Sequence, residues 1–306
     1  MSRGLSLLAS IDATVRPETG YVPRSSSIPA DQASGLRQMP RPTEADRRAR
    51  QRAPGAPLRI AVTSGKGGVG KTTVASNLAA IWARSGRRTL VVDGDLGLAC
   101  MDLALGIKPR NDLVDVLEGS ASVDDVLVAG PFGMQLLPAA SGRFDAATLG
   151  ASARAALLRA IDAVAARFEV VIVDTGAGIG ATTVELAGSA DEVVLVTTAE
   201  PAALRDAYAM SKVLSERTAL PLLRVVVNQV DQLSDGHRTY ERLVGLAARF
   251  LEIRLAYAGG LARDVALAEG AAHGVPLALA EPSSQPARVL GDLVSQLDRE
   301  VVTKPC

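Results

Sequence analysis

The chain has 306 residues, 48% apolar and 22% charged, the balance of an ordinary globular protein with room for one large α/β domain plus a tail, or two modest domains. Lys plus Arg and Asp plus Glu number 33 each, which argues against bulk electrostatic binding to nucleic acid and leaves only a local basic patch open. Two cysteines, Cys100 and Cys306, are too few for a disulfide framework or a metal cluster, no apolar run approaches the roughly 18 residues of a membrane span, and the run in Met1–Ser10 is too short for a signal peptide, so the expected compartment is the cytoplasm.

Residues 1–57 are rich in Pro, Ser and Arg and lack a sustained apolar period, which predicts a largely disordered arm. Its closing basic cluster, Arg41, Arg47, Arg48, Arg50 and Arg52, reads as a solvated linker, with weak contact to acidic lipid or a partner as the alternative. From Leu58 the texture changes, and one domain is predicted over 58–302. Strands are expected at 58–64, 88–93, 169–174, 192–198, 223–228 and 255–258, near-continuous apolar runs of the kind buried on both faces of a parallel sheet. Val74, Leu78 and Ile81 share one helix face, and Gly86 suits its stop. Further helices are expected at 150–167, 201–217, 238–251 and 262–272. The last, from Pro286, lines up Val289, Leu290, Leu293, Val294, Leu297 and Val301. This alternation predicts a doubly wound, mostly parallel α/β sheet.

Gly65-Lys66-Gly67-Gly68-Val69-Gly70-Lys71-Thr72, followed by Thr73, fits the phosphate-loop pattern and lies between an expected strand and an expected helix, the context that pattern requires. Its glycines let backbone N–H groups fold around phosphate oxygens, aided by the helix N-terminus. Lys71 is the expected partner of the β- and γ-phosphates, and the Thr72 hydroxyl an expected Mg²⁺ ligand. Farther on, Asp93 and Asp95 follow a strand, and both can face a nucleotide only if the chain leaves strand geometry there. Val170–Val173 leads into Asp174, the strand-end place where an aspartate holds Mg²⁺ through water. Gly176 and Gly178 let the next loop approach the γ-phosphate by its backbone.

The second lysine, Lys66, makes the loop resemble the deviant Walker A motif of the MinD/ParA ATPases. That resemblance implies a P-loop NTPase of the SIMIBI/MinD type, ATP and Mg²⁺ as cofactors, slow hydrolysis, and an ATP-dependent homodimer in which Lys66 reaches the partner subunit's nucleotide. Asp93 to Asp102, with Gly106 beyond, resembles switch I of the MinD group, which implies that Asp95 positions or activates the attacking water and Asp93 supports the magnesium shell. Cys100 departs from the asparagine usual there. Asn228 corresponds to the family's adenine contact. Asn228-Gln-Val-Asp231 also resembles the guanine signature N-K-x-D, with Gln229 in place of lysine; adenine is the preferred reading, and Asp231 would be the guanine reader.

Residues 95–99, 174–179, Glu200-Pro201 and Asp206-Ala-Tyr208 resemble the FlhG/FleN branch, which sets flagellar number and placement. Asp31-Gln-Ala-Ser-Gly-Leu-Arg37 resembles that branch's N-terminal D-Q-A-x-x-L-R motif, which implies docking on an SRP-like GTPase of the FlhF type and stimulation of its hydrolysis, with Gln32, Leu36 and Arg37 as contacts. Asp31 can cap a short helix there and Pro40 can stop it. A flagellar transcriptional regulator or a basal-body protein is a further partner the resemblance allows. The final helix carries Asp292, Asp298 and Glu300, whereas a lipid-binding helix needs a basic polar face, so direct membrane anchoring is not expected and recruitment to the membrane or cell pole would pass through partners. The competing expectations are a ParA-type partition ATPase, whose DNA patch would draw on Arg224, Arg238, Arg242, Arg249, Arg254 and Arg263, a Min-type division-positioning ATPase, and a metabolic P-loop enzyme, for which no substrate-acid site is legible. Cysteine scarcity excludes electron transfer of the nitrogenase-reductase kind.

Overall fold

A computed structural model describes Leu36, residues 39–43, 55–139, 149–220, 222–248, Leu251 and 253–303. Among these, eight strands form one sheet: β1 (Leu58–Ser64), β2 (Thr89–Gly94), β3 (Val128–Ala129), β4 (Gln135–Leu137), β5 (Val170–Ala177), β6 (Glu192–Thr198), β7 (Leu222–Val230) and β8 (Arg254–Ala262). Their order is β3-β4-β2-β5-β1-β6-β7-β8. Every pairing is parallel except β3 with β4. β1 therefore lies inside the sheet, between β5 and β6, and the loops at its C-terminal end open into the crevice where doubly wound sheets take their ligands.

The helices are α1 (Lys71–Arg84), α2 (Met101–Leu105), α3 (Leu113–Glu118), α4 (Val123–Val126), α5 (Ala151–Ala165), α6 (Ala181–Ser189), α7 (Pro201–Arg217), α8 (Leu233–Ala247), α9 (Val265–Ala272), α10 (Leu277–Ala280) and α11 (Gln285–Thr303). The two-residue period of the strands sorts them into layers. Val170 and Ile172 point to one face, with Leu78, Trp82, Leu290, Leu293 and Leu297 from α1 and α11. Val171 and Val173 point to the other, with Leu157 and Ile161 of α5. Farther along that second face, Leu195 and Val225 meet Val184, Met210 and Leu243 from α6, α7 and α8. Trp82 is fully buried, and its indole N–H reaches both carboxylate oxygens of Asp298 at 3.2 Å, which ties α11 to α1. The apolar stripe of the final helix is thus consumed by the core from Val289 to Leu297.

Several elements differ from expectation. α8 begins five residues early because Asp235 already sits in its first turn, where its carbonyl accepts the Thr239 hydroxyl at 2.7 Å. β3 and β4 hold two and three residues, too few to show a period. α6 is missed because its small, weakly polar residues, ATTVELAGS, lack the contrast between faces that a period needs. α3 and α4 are short but carry capping boxes, Asp112 with Asp115 and Ser122 with Asp125, signals that were there to be read.

Part of the arm meets the domain. Leu36 is only 7% exposed and joins the buried cluster that contains Leu214 and Leu220, with Met39 packed against it. Gln32 and Arg37, with most of the basic cluster, lie outside the described residues.

Leu293→Ala is expected to cost about 2–5 kcal/mol in urea unfolding, because its side chain is fully buried between α11 and the sheet. Leu246→Ala, at a residue 46% exposed on α8, should stay within about 0.5 kcal/mol of wild type.

Candidate functional site

The loop from Gly65 to Gly70 turns the chain from β1 into α1. Gly65 is obligatory for packing: a Cβ there would lie 2.0 Å from the Asp206 carbonyl oxygen of α7. Gly70 is obligatory twice, since φ is +93° and a Cβ would meet the Asn228 amide nitrogen at 2.2 Å. That amide donates to the Val69 carbonyl at 2.8 Å. The neighbouring Gln229 amide donates to the Gly68 carbonyl at 3.3 Å. Two consecutive side chains at the end of β7 therefore fix two consecutive loop carbonyls. Gln229 holds a left-handed φ of 58° to do so, a conformation uncommon for a residue other than glycine.

Lys71 is buried at the start of α1, and beside it the Thr72 hydroxyl donates to Asp174 Oδ2 at 2.5 Å. Asp174 Oδ1 is buried and has no hydrogen-bond partner. A buried carboxylate oxygen left unpaired is costly unless a cation meets it. Mg²⁺ typically takes one or two protein oxygens and completes its shell with phosphate and water. Thr72 and Asp174 fit that demand.

Asp93 pairs in register with Asp174 across β2 and β5, and both are about 1% exposed. The Asp93 carboxylate accepts the backbone N–H groups of Asp95, Cys100 and Met101 at 3.0–3.1 Å. Both of its oxygens are occupied, so it shapes the 95–101 loop. Asp95 accepts the Leu98 N–H at 3.1 Å and lies close to Gly176. Cys100 Sγ stands 3.5 Å from the Thr72 hydroxyl. Within the loop, the Lys66 ammonium pairs with Glu200 at 2.6 Å while both side chains stay substantially exposed. Val69 is buried, whereas Gly67 and Gly68 are exposed at the mouth. Thr73, Asn228, Gln229 and Arg263 line a pocket of about 140 Å³ that begins at Gly70. A neighbouring pocket of about 260 Å³ is lined by Glu200, Asp231, Asp235 and Arg263.

Sequence reasoning missed the Lys66–Glu200 pair and the Gln229 buttress. In the sequence Glu200 marks only the branch, and Gln229 only the place where the guanine signature has lysine. No sequence pattern states that α7 would lie against Gly65.

Burial raises Asp93 from the ordinary 3.8 to about 7, with the Asp174 charge adding to the rise and the N–H bonds from Met101 and Asp95 opposing it. Burial also raises Asp174 to about 6, against the pull of Lys71 and the Thr72 hydroxyl. Between about pH 4 and pH 7 the native chain therefore holds protons that the unfolded chain has released, and stability falls as pH rises through that window. In nucleotide-free, magnesium-free buffer, the melting temperature should decline from about pH 4.5 to about pH 7.5. Asp93→Asn should flatten that slope whatever its effect on absolute stability. An unchanged slope would place the titration elsewhere.

Residues 60–277 match the CobQ/CobB/MinD/ParA nucleotide binding domain. The chain is 41% identical over 205 residues to the antiactivator FleN of Pseudomonas aeruginosa, covering 67% of this chain and 73% of that one. It is 37% identical over 205 residues to the flagellum site-determining protein YlxH of Helicobacter pylori, covering 66% and 68%. In structure it is similar to the cell division ATPase MinD of Pyrococcus furiosus, with a TM-score of 0.64, 26% identity, and coverage of 79% and 99%. With the phosphate loop, the paired strand-end carboxylates and the sheet order already in place, the chain belongs to the CobQ/CobB/MinD/ParA family of nucleotide-binding proteins.

Proposed function

We propose that this chain is a slow, regulatory ATPase that forms a homodimer around Mg·ATP and controls flagellar number or placement. The observation that carries the nucleotide chemistry is the unpartnered, buried Asp174 Oδ1 beside Thr72 and Lys71. When bound, magnesium neutralises phosphate charge there, and Thr72 and Asp174 hold it. Lys71 faces the β- and γ-phosphates. Asp93 supports the magnesium shell indirectly, by fixing the loop that carries Asp95. Asp95 orients the attacking water. Lys66 is exposed and ion-paired at the surface, so it can exchange Glu200 for a partner subunit's nucleotide at little cost.

The base reading is adenine. The Asn228 amide spends one N–H on Val69 and keeps a second for a base in the pocket it lines. Asp231, which a guanine site would need, is 82% exposed, ion-paired with Arg263 at 3.5 Å, and lines the neighbouring pocket.

The flagellar assignment draws on the likeness to an antiactivator and to a flagellum site-determining protein. A DNA-partition role has less support. Arg224 is buried against Glu192, while Arg238 and Arg263 pair with Asp235 and Asp231, so three of the candidate arginines already face carboxylates, and exposed Arg242 and Arg254 are the described remainder. Among the described residues no helix is long and apolar enough to cross a membrane. The proposed setting is the cytoplasm, with a flagellar regulator or basal-body protein as partner and recruitment to the membrane or pole through it. The arm, through Gln32, Leu36 and Arg37, is proposed to stimulate an SRP-like GTPase of the FlhF type.

Lys71→Ala should abolish ATP binding in a filter or fluorescence assay. Asp95→Ala should bind ATP normally, lose about 10²–10⁴-fold in turnover, and accumulate as a dimer. With a slowly hydrolysed ATP analogue, light scattering should show the wild-type mass doubling. A Lys66→Ala protein that still doubled would remove the trans-lysine role, and GTP competing as well as ATP would remove the adenine reading.

Gln32→Ala should leave ATP turnover unchanged and abolish stimulation of the partner's GTP hydrolysis. Stimulation that survives it would return the arm to the status of a passive tail.

A further inference from the structure

The end of α7 carries an occupied surface that the nucleotide site does not explain. Leu36 is 93% removed from solvent and belongs to the same buried cluster as Leu214 and Leu220, which bracket the turn from α7 into β7. Met39 packs on this cluster. The backbone of the segment is also held: the Met39 N–H donates to the Leu36 carbonyl at 3.2 Å, and the Arg217 guanidinium donates to the Met39 carbonyl at 2.9 Å. Arg217 is the last residue of α7, so the arm is gripped by a side chain from the helix end. Pro40 and Arg41 beyond it are exposed. A tail that merely trailed from the domain would not spend its leucine and a charged hydrogen bond in this way.

We infer that the end of α7, with Arg217 and the buried cluster that holds Leu214 and Leu220, is a docking site for Leu36 and Met39 of the chain's own arm, and that it competes with the partner GTPase for Leu36. The inference rests on the arm reading proposed above and adds its regulation. Leu36 cannot be buried in two places at once. A partner that uses this side chain as an anchor therefore meets only the fraction of molecules whose arm has left α7. Its apparent dissociation constant is the intrinsic one divided by that fraction. Anything that loosens the arm from α7 tightens the partner, without changing a single contact between the two proteins.

α7 gives the arrangement a second end. It runs 17 residues, about 25 Å at 1.5 Å per residue, from Pro201 next to Glu200, the partner of Lys66, to Arg217. The docked arm and the nucleotide loop thus bear on the same helix, although the competition for Leu36 needs no signal along it.

The test uses the full chain and its Arg217→Ala, Arg217→Lys and Leu36→Ser variants, with the purified SRP-like GTPase as the probe. Two quantities are read: amide hydrogen exchange over residues 36–43, and affinity for the GTPase. Removal of a hydrogen bond to a charged group should raise exchange at Met39 by about tenfold. Arg217→Ala should also bind the GTPase more tightly, by up to about the same factor. Arg217→Lys, which keeps a donor for the Met39 carbonyl, should restore both values towards wild type, and this excludes general damage to the fold. Leu36→Ser should exchange fast and bind weakly, because it removes the shared anchor. Wild type and Arg217→Ala binding equally, or exchange that does not respond to Arg217→Ala, would overturn the competition. If neither wild type nor Arg217→Ala binds the GTPase at all, the arm reading itself fails and the competition with it, an outcome the exchange data distinguish from failed docking.

Discussion

Two carboxylates buried side by side are the constraint around which this site is built. Asp93 and Asp174 end adjacent parallel strands in register, and the sheet offers them almost no water. Burial raises the protonation of both, the Asp174 charge raises that of Asp93 further, and Asp95 adds to the rise at Asp174. The structure answers the two charges differently. Asp93 is satisfied by three backbone N–H groups, so it serves as the hub of a loop. Asp174 receives one hydroxyl and the field of Lys71, and one oxygen is left over. That asymmetry separates a scaffolding aspartate from one able to meet a cation, although both stand at the same place on neighbouring strands. It also couples loop shape to charge: what neutralises Asp174 changes the field on Asp93, which holds Asp95 and Cys100.

The phosphate loop is supported from two sides by elements distant in sequence. β7 contributes Asn228 and Gln229, whose amides hold the carbonyls of Val69 and Gly68. With its carbonyls drawn outward, the loop leaves its N–H groups for an anion. α7 contributes the Asp206 carbonyl, packed so closely on Gly65 that no side chain fits there. The glycines of the loop thus have distinct reasons. Gly65 is set by packing from behind and Gly70 by backbone angle and the Asn228 amide, so a substitution at either would displace a buttress as well as strain the loop.

Much of this was legible in the sequence, and the legible part has a common character. The six longer parallel strands, β1 with the phosphate loop and α1, and the final helix announce themselves through apolar period and glycine spacing, which are local properties. Elements such as β4 and α6 are too short or too uniform to carry a period, and they are fixed by the sheet edge and by packing. In the candidate site, residue types in a motif pointed to Lys71, Thr72, Asp93, Asp95 and Asp174, but not to how the two aspartates divide the hydrogen bonds between them. That division depends on which backbone N–H groups the 95–101 loop turns inward. The Glu200 pair with Lys66 and the Gln229 amide on Gly68 join residues more than 130 apart, and no spacing rule reaches that far.

The Lys66–Glu200 pair and the Arg217–Met39 bond are alike in kind. Each joins a group at one end of α7 to a segment that the proposed function needs elsewhere, the loop lysine for a second subunit and the arm for a different protein. Neither bond is deeply buried: Lys66 and Glu200 are 39% and 63% exposed, and the bond from Arg217 is only part-buried. Exposed or half-exposed ion pairs and hydrogen bonds contribute little net stability, so they can be exchanged without disturbing the core. The buried groups, Asp93 with the Met101 N–H and the Trp82 ring packed against the sheet, belong to parts that must not move. The gradation of burial along α7 therefore sorts its contacts by purpose. The middle of the helix, with Ala203, Ala207, Met210 and Leu214 buried, is anchored to the sheet, and its two ends hold what a switch has to release.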